Sequence, residues 1–178
     1  GCGEVPGMVY EEKVYEGYGP GGIAIICDIL TDSINRTASE IKHIFSKNGG
    51  NMGEPGCVSW DFKKVGLIII KGDGLKEDEV MEVALESGAS DISQVDNKFE
   101  VITEFADFFT VLDGLKAKGY QVEQAEFIKI PGNTIKLDVE KGLLAVKLIE
   151  ILEANPDTQN IYTNLDYTPE LLEALSKE

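Results

Sequence analysis

Ile23 to Leu30 is a nearly unbroken apolar run, and it predicts a central strand covered on both faces. Residues 8–17 ahead of it alternate weakly through Val9, Tyr10, Val14 and Tyr15, which reads as another strand. Gly19-Pro20-Gly21-Gly22 joins the two as a turn, where glycine supplies backbone angles that few other residues tolerate. The period then changes to helical. Ile34, Ala38, Ile41 and the pair Ile44 and Phe45 form one apolar stripe across a helix predicted over residues 35–48. Thr37 with Glu40 three residues on fits a capping box, and Asn35 is an equally good N-cap. Gly49 and Gly50 close the helix. Residues 57–62 read as a further strand, with Trp60 and Phe62 on one face as core residues.

From Val65 the pattern becomes a self-contained series. It runs strand 67–71, helix 77–87, strand 91–95, strand 99–105, helix 108–118 and strand 122–130. Gly88 and Gly119 end the helices, Asp96-Asn97 makes the hairpin turn, and Pro131 stops the last strand. The order βαββαβ is that of a ferredoxin-like fold. A helix at 138–154 and a strand at 159–164 follow, and they find cover only by returning to the first sheet. The chain therefore reads as α+β. A ferredoxin-like domain over 65–133 is inserted into a discontinuous α+β domain built from 1–64 and 134–178.

Composition narrows the class. With 43% hydrophobic and 27% charged residues the chain is an ordinary globular protein. No apolar run reaches the roughly 20 residues needed to cross a bilayer, so no membrane partner is expected. The opening Gly1-Cys2-Gly3-Glu4 lacks an initiating Met and a leader pattern, so a truncated or processed chain is expected. Cys2, Cys27 and Cys57 show no C-x-x-C spacing; Cys27 and Cys57 lie in apolar, strand-like runs as reduced, buried thiols, which fits a cytosolic-type compartment. One histidine and no Cys/His cluster leave no metal or cofactor expected.

The net charge of −16 opposes phosphate binding by the chain as a whole. Its distribution is uneven. Residues 31–72 hold six basic against four acidic side chains, a net +2, so the remainder carries −18. If a surface of this chain meets nucleic acid, that segment is the candidate, through Arg36, Lys42, His43, Lys47, Asn51, Lys63 and Lys64. Arg36 at the helix start has the fork to grip a phosphate, and it is equally placed to pair with Asp32 and fix the turn. His43 has no nucleophile or acid partner to make it a catalytic base. The loop around Gly49, Gly50, Asn51 and Gly53 lacks the Gly-Lys-Ser/Thr of a P-loop. Glu77-Asp78-Glu79 offsets a helix dipole and needs no metal. Tyr162 and Asn164 read as core and ladder residues. No constellation for catalysis emerges, so the chain reads as non-enzymatic.

Three separated motifs stand out: Tyr-Glu-Gly-Tyr-Gly-Pro-Gly-Gly at 15–22, Thr31-Asp32-Ser33-Ile34-Asn35-Arg36-Thr37 with the glycine loop to Gly53, and Asp157-Thr158-Gln159-Asn160-Ile161-Tyr162-Thr163-Asn164. In these the chain resembles the YebC family, whose members are described as bacterial transcriptional regulators. It is also similar to the mitochondrial translational activator of cytochrome oxidase subunit I. The resemblance implies the inserted layout above and a further basic, helical N-terminal domain ahead of residue 1. It implies regulation of gene expression, by DNA-linked transcriptional control or by action on ribosomal RNA and the translating ribosome. The setting it implies is the bacterial cytoplasm, with a mitochondrion or plastid as the alternative. A ligand-binding or self-associating regulatory module without nucleic-acid contact is the rival reading.

Overall fold

The computed structural model describes residues 9–177. Two compact units divide the chain: one runs to Phe62 and resumes at Pro131, and the other is Lys63–Ile130.

The first unit is a four-stranded antiparallel sheet with helices on one face. Its strands are β1 (Glu11–Tyr18), β2 (Ala24–Thr31), β3 (Asn51–Met52) and β8 (Thr158–Thr163), in the order β3-β1-β2-β8. The helices are α1 (Ile34–Lys47), α4 (Val139–Ala154) and α5 (Pro169–Ser176). As the apolar run predicts, β2 is buried on both sides. Ile25, Cys27 and Ile29 meet Ile41 and Phe45 of α1 and Leu148, Ile149 and Leu152 of α4. Ala24 and Ile26 face the other way, onto Val58, Cys57, Phe62 and Tyr162. Asn164 locks the far edge: its side-chain oxygen accepts the Ala24 N–H at 2.7 Å.

The second unit comprises β4 (Phe62–Lys71), α2 (Glu77–Glu86), β5 (Asp91–Val95), β6 (Lys98–Glu104), α3 (Phe108–Ala117) and β7 (Val122–Pro131). The sheet order β5-β6-β4-β7 puts the first and third strands of the series in the middle, the ferredoxin-like arrangement. Ile68, Ile70, Phe99 and Val101 pack beneath Val80, Ala84, Val111 and Leu115. Asp96 in the hairpin turn adopts φ 53°, a conformation Asp tolerates better than most residues.

Several local expectations are corrected. Residues 57–62 do not form a strand: a turn and a 3-10 turn (Ser59–Asp61) carry the chain into β4 at Phe62. Trp60 is consequently no core residue but 78% exposed, its indole N–H donating to the Cys57 carbonyl at 3.0 Å. Cys57, in that turn, is half-buried, whereas Cys27 is buried as expected; Cys2 lies outside the described residues. α1 begins at Ile34 behind Ser33, so Asn35 and Thr37 are inside the helix and neither caps it. Asn51 and Met52, read as loop, pair with Tyr18 and Gly17 as the short β3. α5 is an unexpected helix, opened by Thr168, whose hydroxyl accepts the Leu171 N–H at 3.2 Å, with Pro169 in its first turn.

Candidate nucleic-acid interface

α1 is the centre of the site, and two clasps position it. At its start Arg36 is surrounded by carboxylates. Its Nη2 lies 2.9 Å from Asp157 Oδ2 and 3.2 Å from Asp32 Oδ1, and its Nε lies 3.7 Å from Glu40 Oε1. Asp157 also takes the buried Thr37 hydroxyl at 2.8 Å, and that hydroxyl is 2.7 Å from Thr31 Oγ1. Glu40 in turn accepts from the Asn155 amide at 3.0 Å. The hydrogen bonds from Thr37 and Arg36 hold the Asp157 carboxyl below its ordinary pKa. The Asp157 hydrogen bond and the nearby carboxylates likewise raise that of Arg36. Two of the three sequence motifs thus meet in space, and the intrachain alternative for Arg36 is realised with Asp157 as a further partner.

The second clasp holds the segment after β3. Glu16 points away from the helices on β1, is only 6% exposed, and accepts three backbone N–H groups. Gly56 N–H reaches Oε2 at 2.7 Å, while Val58 and Ser59 reach Oε1 at 3.2 and 2.7 Å. Burial alone would lift this carboxyl, but the three donors outweigh it and hold its pKa below the ordinary value. These bonds curl residues 56–59 over Ala24 and Ile26 and deny them a strand ladder. Sequence reasoning missed Glu16, because an acidic residue on the strand face opposite Tyr15 reads as an ordinary solvent-facing position.

Asp32, Glu40 and Asp157 gather round Arg36, so the one acid of α1, the partly exposed Glu40, lies in its first half, and the exposed residues from Lys42 to Lys47 include no carboxylate. The exposed residues of α1 besides Arg36 are Asn35, Ser39, Lys42, His43, Ser46 and Lys47. At three- and four-residue steps they form two adjacent rows with Arg36, residues 35, 39, 42 and 46 and residues 36, 43 and 47, with Glu40 in the second. Beyond Glu40 the outward stripe is Lys42, His43, Ser46 and Lys47. Lys42, His43 and Lys47 make no ion pair with any described residue. Past the helix end, Gly49 takes φ 82° and the Gly50 N–H returns to the Phe45 carbonyl at 2.8 Å. That closure leads into Asn51, which is exposed and paired with Tyr18 in β3.

Lys63 and Lys64 belong to the other unit and are engaged within it. Lys63 Nζ lies 2.7 Å from Glu104, and Lys64 sits 5.2 and 5.5 Å from the ring centres of Phe105 and Phe127. Among the described residues no group of three or more His, Cys, Asp or Glu could hold a metal ion.

A family model described as the second and third domain of TACO1/YebC matches residues 10–165, most of the chain. The chain belongs to the TACO1/YebC family. Family members with similar sequences include proteins of Dictyoglomus turgidum and Syntrophus aciditrophicus, each named "Probable transcriptional regulatory protein". Each is 49% identical over 177 residues, spanning 99% of this chain and 71% of the relative. Among solved structures, a conserved hypothetical protein of Aquifex aeolicus superposes with a TM-score of 0.84 at 36% identity, over 92% of this chain and 68% of that one. The TACO1/YebC relatives are thus named as regulators, and the α+β fold is shared with a known structure.

Proposed function

We propose that this chain is a non-enzymatic regulator of gene expression that rests on a nucleic-acid-containing target through the outward stripe of α1. The observation that carries the reading is that the exposed residues of α1 from Lys42 to Lys47 are two lysines, a histidine and a serine, with no carboxylate, in a chain of net charge −16. Lys42 and Lys47 supply point charges for phosphate oxygens, and Ser39, Ser46, Asn35 and Asn51 supply neutral hydrogen-bond donors. Arg36 holds the helix start in place for them. The family resemblance adds a basic first domain as a second source of positive charge, and the unit Lys63–Ile130 is taken as an inserted domain.

Ribosomal RNA within a mixed RNA–protein surface suits this stripe better than free duplex DNA. Two unpaired lysines release few counterions, giving a duplex salt slope near about −2 at roughly −0.9 per phosphate. The remaining acidic surface repels a bare polyanion but tolerates a surface where cationic protein lies beside RNA. The relatives' name favours the other reading, control of transcription on DNA. In both settings the working compartment is the cytoplasm of a bacterium or its organellar equivalent.

Fluorescence anisotropy with a structured RNA and a duplex DNA of equal length, across a salt series, tests the stripe. K42E combined with K47E should abolish RNA binding and flatten its salt slope. Unchanged binding by the double variant removes α1 from the interface, and tighter binding to the duplex returns the case to transcription.

A further inference from the structure

The second unit carries a contiguous aromatic patch where β6 runs into α3. Phe108 is buried, but Phe105 is 52% and Phe109 66% exposed, and both lean on the half-buried Phe127 of β7. Their ring centres lie 4.8 and 6.4 Å from that of Phe127. Apolar residues scattered singly over a surface need no explanation, but exposed rings in mutual contact do. The fold does not supply one. Phe109 stands on the solvent side of α3, where alanine is the better helix former and most of the residue is exposed. Lys64 of β4 completes the patch. Its ammonium lies over the Phe105 and Phe127 rings and makes no ion pair with any described residue. Glu104, next to Phe105 in the chain, is taken by Lys63 at 2.7 Å.

We infer that this patch is a stacking platform for single-stranded RNA, with one unpaired base on the Phe109 ring and Lys64 taking a phosphate of the same strand. Area decides against a folded protein or a second copy. An aromatic side chain offers roughly 150–250 Å², so the exposed parts of Phe105 and Phe109 come to roughly 200 Å². A stable protein interface needs about 800 Å² from each partner. A planar base needs only one ring face, and stacking tolerates any base. Charge decides where the strand runs. Lys64 covers Phe105 and Phe127, which leaves Phe109 as the exposed ring free of the cation. The exposed acids Asp107 and Asp113, before and one turn after Phe109, turn phosphate away from that ring and toward Lys64. A base reaches the ring only when it is splayed out of a stack, as in the loops and bulges of RNA. The inference rests on the proposed reading that the target contains RNA, and it adds a contact in the second unit that α1 does not make.

The test measures anisotropy of the parent chain, F109A, F109L, F109W, K64Q and K42E/K47E on a single-stranded RNA and a fully paired RNA of equal length, across a salt series. The parent should prefer the single strand. F109A should keep the fold, because the ring is exposed, and lose about fivefold to a hundredfold in affinity for the single strand, the worth of one stacked base. Its affinity for the paired RNA should equal the parent's. F109W should retain single-strand binding and F109L should not, since leucine is apolar but has no planar face. K64Q should lower the single-strand salt slope by about 0.7, one phosphate. Single-strand affinity that F109A leaves unchanged, or that F109L preserves, overturns the platform while sparing the α1 stripe. Loss in F109A with no effect of K42E/K47E keeps the platform and defeats the proposed role of α1. Binding of neither RNA by the parent overturns both.

Discussion

Glu16 makes the sharpest energetic test of how the first unit is held. In E16A the Val58 N–H, at a position only 3% exposed, loses its acceptor, which costs about 1–3 kcal/mol. Gly56 is exposed and Ser59 half-buried, so water replaces the carboxylate there at about 0.5–1 kcal/mol each. Relief from burying a charge offsets part of this, leaving a net loss of about 2–4 kcal/mol. E16Q keeps one acceptor oxygen but no charge, and charge-assisted bonds are about twice as strong as neutral ones, so about 1–2 kcal/mol is expected. Urea denaturation followed by fluorescence reads this directly, because the chain's one tryptophan, Trp60, sits in the segment that Glu16 holds. The pH dependence has a fixed sign. The Glu16 carboxyl lies below its ordinary value of 4.5 in the folded protein, so its contribution is complete above that value. It is lost as pH falls below 4.5 through the folded pKa, and E16Q should lack this component. An E16A midpoint equal to the parent's, with Trp60 emission unchanged, would refute the clamp.

Other perturbations bear on the same unit. D157N should cost about 1–2 kcal/mol in urea by weakening the acceptor of the buried Thr37 hydroxyl. It should also remove an acid-side loss of stability below pH 3.8, since the Asp157 carboxyl is depressed. G17A should destabilise by about 1–3 kcal/mol, because its methyl would sit 2.6 Å from the Asn51 carbonyl oxygen and 2.9 Å from the Phe45 ring. Y15F should leave thermal stability equal to the parent's or raise it by up to about 1 kcal/mol, since it removes an unpaired buried hydroxyl. Burial pushes the Cys27 thiol up to about 12, so a thiol-specific reagent at pH 8 should label it only as fast as the unit unfolds.

The parts of this fold legible in the sequence are those that local patterning determines. The apolar run 23–30, the amphipathic stripe of α1 and the βαββαβ series each bury a face whose period is visible along the chain. What escaped reading depends on partners distant in sequence. The clasp of Arg36 on Asp157 spans 121 residues, and neither side chain alone reveals it. Glu16 acts on backbone amides 40 to 43 residues away, and amides leave no mark in a sequence. Trp60 misled for the same reason: its alternation with Phe62 mimics a strand, but the clamp turns the segment before it can pair. α5 did carry a signal, Thr168-Pro169 at a helix start, but its eight residues show too little periodicity to stand out. Of the candidate cations, Lys42, His43 and Lys47 share the α1 stripe, Arg36 is drawn to carboxylates, and Lys63 and Lys64 are engaged in the other unit.

The most direct test of the central claim is co-sedimentation of the protein with ribosomes through a sucrose gradient, with excess duplex DNA as competitor and K42E/K47E as the control. The account predicts association that survives the DNA and is lost in the double variant. Association that the duplex abolishes, or that the charge reversal leaves untouched, would contradict it.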